Sequence, residues 1–199
     1  YKGSRYGIAI NVEASFLFYR KDHFIEAGLD PDQPPATWEE LLDCAEKLTQ
    51  RDGNNVTRAG FSFPMSLAHI TIIPFARQNG GVLVDEANDL AVFNEPATAE
   101  ALDYLASYSE RNLLIPYINN KDQNPFEVGN ASITVASLNT YNSIKASGVD
   151  WVDQLMFAPM VKREKQSSFG GCQILFLSEE SKHKDEAWDF MKSQASSLC

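Results

Sequence analysis

Cysteine is scarce and odd in number. Cys44, Cys172 and Cys199 lie far apart, so neither a disulfide framework nor a CxxC metal motif can be read. Cys44, among Leu42, Ala45 and Leu48, reads as a small buried hydrophobe. Long apolar runs are also missing. Stretches such as Ile133 to Ala136 and Ile174 to Leu177 fall far short of the roughly 20 residues that a membrane-spanning helix needs. Positive charge is in deficit, with 17 Lys and Arg against 27 Asp and Glu and a formal net charge of −10. Such a surface repels phosphate backbones, which argues against a nucleic-acid partner and favours a neutral or cationic ligand. A cluster of backbone N–H groups can still hold an anion in an acidic protein. No GxSxG elbow, Walker loop or HExxH occurs, and His23, His69 and His183 are too scattered for a three-ligand metal site. No catalytic residue, metal or cofactor is expected. The chain opens at Tyr1 without an initiator Met or a basic-then-apolar leader, which is expected to reflect removal upstream and says nothing against export.

What is present is an α/β alternation. Tyr6 to Tyr19 holds two β-rich runs interrupted by the polar Asn11 to Ser15 segment. Lys21 to Ala27 suits a short helix stopped by Gly28, after which Asp30-Pro31 and Pro34-Pro35 enforce an extended linker. Thr37 and Glu40 form a capping box ahead of a helix with Trp38, Leu41, Leu42, Ala45 and Leu48 on one face, ended by Asp52-Gly53. A short strand is expected over Gly60 to Phe63, then a helix over Ser66 to Gln78 kinked by Pro74. A hairpin is expected from Val82 to Phe93, and a helix with Pro96 in its first turn. Further strands are expected over Ile133 to Ala136, Leu155 to Ala158 and Gln173 to Leu177, with a last helix over Asp185 to Met191.

Several phrases then occur in one order. Tyr6-Gly7-Ile8-Ala9 precedes Phe18-Tyr19-Arg20-Lys21-Asp22, Phe24 and Glu26-Ala27-Gly28-Leu29-Asp30-Pro31. Pro34-Pro35-Ala36-Thr37-Trp38-Glu39-Glu40-Leu41 and Lys47-Leu48-Thr49 follow, then Asn79-Gly80-Gly81, Phe93-Asn94, Phe126 with Gly129 and Ala131, Phe169-Gly170-Gly171 and Ala187-Trp188-Asp189-Phe190. This order resembles the family 1 extracellular solute-binding proteins, the maltose- and glycerol-phosphate-binding relatives. The resemblance implies an α/β, periplasmic-binding-protein-like (type 2) fold whose two lobes close on a ligand. It implies the middle portion of such a protein, mostly the second lobe: residues 1–19 as crossover strands from the first lobe, 20–161 as the second-lobe domain, and 162–199 as the returning crossover strand and the start of a first-lobe helix. It further implies an exported protein, periplasmic or anchored at the cell surface, that captures a sugar or polyol and hands it to the membrane permease subunits of an ABC importer. Arg20 stands where the family usually has Asn, and it reads as a tolerated surface change.

A sugar site needs aromatic faces and a few fixed polar groups on loops beside the crossovers. Glu13 and Ser15 are either ligand contacts or a solvated bend. Ser137 and Asn139, after a strand, are either ligand hydrogen-bonders or a helix cap. Phe169, Gly170 and Gly171 allow close backbone approach or form a plain turn. Met65 and His69 stand where relatives often place a stacking Trp. Two other functions remain in view. A carbohydrate-active enzyme would use a carboxylate pair from Glu39-Glu40, Glu179-Glu180 or Asp185-Glu186, all of which also fit helix starts or turns. The ligand-sensing domain of a transcription regulator would need a DNA-binding segment.

Overall fold

The structure is a computed structural model that describes residues 7–64, 68–117 and 122–196. The elements, in chain order, are β1 (Ile8–Ala14), β2 (Phe16–Arg20), α1 (Lys21–Glu26), α2 (Trp38–Leu48), β3 (Gln50–Asp52), β4 (Asn55–Ser62) and α3 (Ala68–Gln78). They continue with β5 (Val84–Asp85), β6 (Leu90–Ala91), α4 (Pro96–Glu110), β7 (Ala131–Ala136), α5 (Leu138–Ser147), β8 (Leu155–Ala158), β9 (Gly170–Leu175) and α6 (Lys184–Ser196). The chain divides into two compact units, one spanning Ser15–Phe169 and the other combining residues 7–14 with 170–196.

The larger unit is built on a five-stranded sheet of order β3-β4-β7-β2-β8. β4 and β7 run parallel, and the other neighbouring pairs are antiparallel. β7 is buried at every residue, Ser132 and Thr134 included, as a strand covered on both faces must be. Leu17, Tyr19, Ile133 and Val135 pack with Trp38, Leu41, Ala45 and Leu48 of α2, Phe75 of α3 and Leu105 and Tyr108 of α4. Phe18, Ala136, Phe126 and Ile144 form a second cluster. The alternation of Leu17 and Phe18 between the two clusters is the period-two signature of a strand buried on both sides.

α2 starts where the capping box places it. The Thr37 hydroxyl accepts from the Glu40 N–H at 3.2 Å, and the Glu40 carboxylate accepts from the N–H groups of Thr37 (3.2 Å) and Ala36 (2.7 Å). The helix stops at Leu48, short of Asp52-Gly53, where Thr49 turns extended (φ −72°, ψ 124°) with its N–H and its hydroxyl both donating to the Ala45 carbonyl. Gly53, at φ +58°, instead serves the β3–β4 hairpin turn, and β3 and the first half of β4 lie where no strand is expected from sequence. Pro96 occupies the first turn of α4, and Pro74 lies inside α3.

Two further expectations change. Arg20 is not a surface residue; it is only 5% exposed. Its guanidinium lies 4.2 Å over the Trp151 ring and forms a two-pronged pair with Asp22 (2.9 and 2.6 Å), so stacking and a planar ion pair satisfy the buried charge. The polar Asn11 and Glu13 do not break the strand either. In the smaller unit β1 pairs antiparallel with β9 as far as Ala14 opposite Gly170, and Ser15 alone separates β1 from β2. The ladder satisfies the backbone whatever the side chains.

Two outcomes follow from this packing. A Cβ on Gly60 would overlap the Ala45 carbonyl oxygen, with the Ala45 Cα 2.6 Å away, and helix backbone cannot yield as a side-chain tip can. Gly60→Ala is expected to lower stability by at least the ~1–3 kcal/mol typical of overpacking, read from the urea midpoint. His23 is buried with Nδ1 3.0 Å from the Ser132 hydroxyl, and burial, reinforced by the Arg20 and Arg58 guanidinium groups, holds its imidazole down at about 4. The unfolded chain therefore binds the extra proton between pH 6.5 and about 4. Stability is expected to fall as pH drops through that window, by ~1.4 kcal/mol for each pH step of about one, and His23→Gln should flatten the urea-midpoint profile there.

Candidate functional site

Strand direction gathers one set of chain ends. β2 runs antiparallel to β7 with Phe16 opposite Ala136, so the start of β2 lies beside the end of β7. β4 runs parallel to β7 with Ser62 opposite Thr134, and Leu17 of β2 faces Ala158, the last residue of β8. The ends of β4, β7 and β8 and the start of β2 thus share one sheet edge. In open α/β sheets, ligands bind outside the carboxyl ends of parallel strands.

Within the larger unit that edge collects five of the residues singled out in the sequence. Ser15 is buried, and its N–H donates to the Phe169 carbonyl at 3.0 Å. The Ser168 hydroxyl donates to the Ser15 carbonyl at 2.5 Å, so the two ends of the unit are joined twice. Phe169 is half-buried, and the exposed His69 ring lies edge-on to it at 5.3 Å. Ser137 is the N-cap of α5, yet its hydroxyl makes no capping bond. Asn139 is exposed in the first turn of the same helix. Glu13, Gly170 and Gly171 belong to the smaller unit, where Glu13 pairs with Gly171 across the β1–β9 ladder. Met65 lies outside the described residues.

Sequence reasoning missed two neighbours on this edge. Phe63, half-buried just after β4, leans on Phe61 at 5.4 Å. Leu138, next to Ser137, is 60% exposed. Each lies within two residues of a strand terminus, Phe63 after β4 and Leu138 after β7, which is the signal that marks both. The described segments meeting here, 15–16, 62–64, 68–70, 136–140 and 167–169, contain no Asp, Glu, Lys or Arg. In an otherwise strongly acidic chain this edge offers hydroxyls, an amide, an imidazole and aromatic rings. It can hydrogen-bond and stack against an uncharged polar molecule.

The carboxylate pairs lie elsewhere and are used structurally. Glu40 closes the α2 capping box, Asp185 and Glu186 sit in the first turn of α6, and Glu179-Glu180 occupies a turn. Two surface pockets of about 500 and 520 Å³, one lined by Arg77, Lys165 and Ser167 and the other by Asp32, Glu40 and Cys44, include none of Glu13, Ser15, His69, Ser137, Asn139, Phe169, Gly170 and Gly171. Among the described residues no group of three His, Cys, Asp or Glu is placed to hold a metal ion, and no helix is long and apolar enough to cross a membrane.

A family model for bacterial extracellular solute-binding proteins matches residues 1–197. The sn-glycerol-3-phosphate-binding periplasmic protein UgpB of Shigella dysenteriae is 32% identical over 142 residues, 68% of this chain and 31% of that protein, and UgpB of Escherichia coli K12 matches to the same extent. A solute-binding protein of an ABC transporter from Thermotoga lettingae, solved with α-D-tagatose, superposes with a TM-score of 0.82 at 25% identity over 98% of this chain and 50% of its own. CpMnBP1 with mannotriose bound gives 0.83 at 25% identity, over 98% and 52%. The chain thus spans about half the length of these solved structures and aligns with about a third of its curated relatives. The α/β architecture is that of the type 2 periplasmic sugar-binding proteins, and the family is one of binding proteins. The chain belongs to the bacterial extracellular solute-binding protein family.

Proposed function

We propose that the protein is the extracytoplasmic solute-binding component of an ABC importer, periplasmic or anchored at the cell surface. It captures a carbohydrate or polyol, delivers it to the permease subunits and catalyses nothing. Ser15–Phe169 is the second lobe of this reading, and its uncharged sheet edge is the ligand-binding surface, with Phe169, His69, Ser15, Ser137 and Asn139 as contacts. Glu13, Gly170 and Gly171 stay as candidate contacts from the smaller unit, and Met65 from the stretch after β4.

The observation that carries the reading is the convergence on one edge of two half-buried phenylalanines, Phe63 and Phe169, with hydroxyl and amide side chains and no charged group. Relatives solved with tagatose and mannotriose support the sugar class. UgpB is named for glycerol 3-phosphate, but the described segments of this edge supply no Lys or Arg for a phosphate.

Isothermal titration of the complete protein with neutral sugars and polyols, beside sn-glycerol 3-phosphate, tests the reading. A neutral ligand is expected to bind and to be recovered unchanged. Phe169→Ala should weaken it about tenfold, a cost of ~1.4 kcal/mol. Hydrolysis of the ligand, or binding of glycerol 3-phosphate alone, would contradict the proposal.

A further inference from the structure

The stretch from Lys162 to Phe169 contains no helix or strand, only an isolated bridge between Lys162 and Gln166, yet it delivers Phe169 to the sheet edge. Its position therefore depends on what holds it from outside. Near its start the Lys162 N–H donates to the Ala36 carbonyl at 2.9 Å. Further along, Arg163 lies 5.0 Å over the Trp38 ring, the Gln166 amide donates to the Met160 carbonyl at 2.6 Å, and the last residue of α3 holds the part from Lys165 to Ser167. Gln78, the last residue of that helix, is fully buried. Its Oε1 accepts from the Trp38 indole N–H at 2.7 Å, its Nε2 donates to the Ser167 carbonyl at 2.7 Å, and its own carbonyl accepts from the Lys165 N–H at 3.0 Å.

The chemistry of the partners fixes the amide orientation. An indole N–H only donates and a backbone carbonyl only accepts, so a flipped amide would face donor to donor and acceptor to acceptor. From Ser167 the bonds continue through the Ser168 hydroxyl to the Ser15 carbonyl, and from the Ser15 N–H to the Phe169 carbonyl. Hydrogen bonds, joined through the Ser167–Ser168 backbone, thus link Trp38 in the core to both segments that carry Ser15 and Phe169. The helix that ends at Gln78 also carries His69, whose ring meets Phe169.

We infer that Gln78 is a positioning residue for ligand binding. Its amide holds the Ser167–Phe169 segment, and through it Ser15, in the geometry that the ligand meets. The inference rests on the edge being the binding surface. Gln78 does not touch ligand; it keeps an irregular segment in place before ligand arrives, which lowers the ordering cost of binding.

The test measures sugar affinity in the complete protein for Gln78→Glu, Ser168→Ala, Phe169→Ala and Tyr108→Phe. Ionised, Glu keeps the acceptor for Trp38 and loses the donor to Ser167; protonated, it regains an O–H donor, so affinity is read across pH up to the ionised form. Ser168 is exposed, so its alanine variant loses the link to Ser15 without disturbing the core. Tyr108→Phe removes the buried Tyr104–Tyr108 hydrogen bond, which is separated from Gln78 by Tyr104 and Trp38, and serves as the stability control. Gln78→Glu is expected to weaken binding about tenfold and Ser168→Ala about threefold, the scale of one lost hydrogen bond. Both should shift the Ser167–Phe169 amide resonances without ligand, while Tyr108→Phe lowers the melting temperature and leaves Kd unchanged. Unchanged Kd in both Gln78→Glu and Ser168→Ala, with Phe169→Ala weakened, overturns the inference and leaves the binding surface standing. Unchanged Kd in all of them, Phe169→Ala included, overturns the binding surface itself.

Discussion

The pairing of β2 with β7 is the constraint on which the larger unit depends. β7 is buried along its whole length between a parallel neighbour, β4, and an antiparallel one, β2. With Phe16 opposite Ala136, Leu17 and Tyr19 face the α2, α3 and α4 side while Phe18 faces the Phe126 and Ile144 cluster. A slip of one residue would exchange those faces, placing Phe18 where Leu17 packs, so the register is held by both cores at once. The direction of the pairing brings Ser15 beside Ser137 and the end of β4. The chemistry of the edge is a consequence of strand order.

Charge is distributed to the same effect. Two shielded guanidinium groups and their carboxylate partners, Arg20 with Asp22 and Arg58 with the exposed Glu26, lie around His23 in α1, which follows the opposite end of β2. The edge where the strands finish keeps uncharged groups. A sugar or polyol asks for directional hydrogen bonds and ring contact rather than net charge, and such groups discriminate well when fixed in advance. Two bonds on Ser15 and the buried amide of Gln78 fix them here, although the Lys162–Phe169 segment contributes no regular structure of its own.

Much of this was legible in the sequence wherever the signal was local. The Thr37–Glu40 capping box, Gly28 after α1 and Pro96 at the start of α4 each state a backbone requirement within four residues, and each holds. Features set by distant partners were not legible. α2 ends at Thr49, whose hydroxyl also accepts from the Gly60 N–H of β4 at 3.0 Å, and Asp52-Gly53 lies in the β3–β4 hairpin instead of stopping a helix. Arg20 looked superficial because Trp151, its stacking partner, lies far along the chain. Ser15, His69, Ser137, Asn139 and Phe169 were chosen from strand ends and family order, and the topology places them on one edge. Gln78 gave no sign, since a polar residue at a helix end reads as exposed until its two side-chain partners are known.

The most direct measurement of the central claim is a backbone-amide NMR titration of the complete protein with the neutral sugar or polyol that it binds. The account predicts that, within the Ser15–Phe169 unit, the largest shifts fall on residues 15–16, 62–63, 137–140 and 167–169. Shifts concentrated instead at the pocket around Asp32, Glu40 and Lys47, or at the hairpin around Val82 and Glu86, with the edge unmoved, would contradict it.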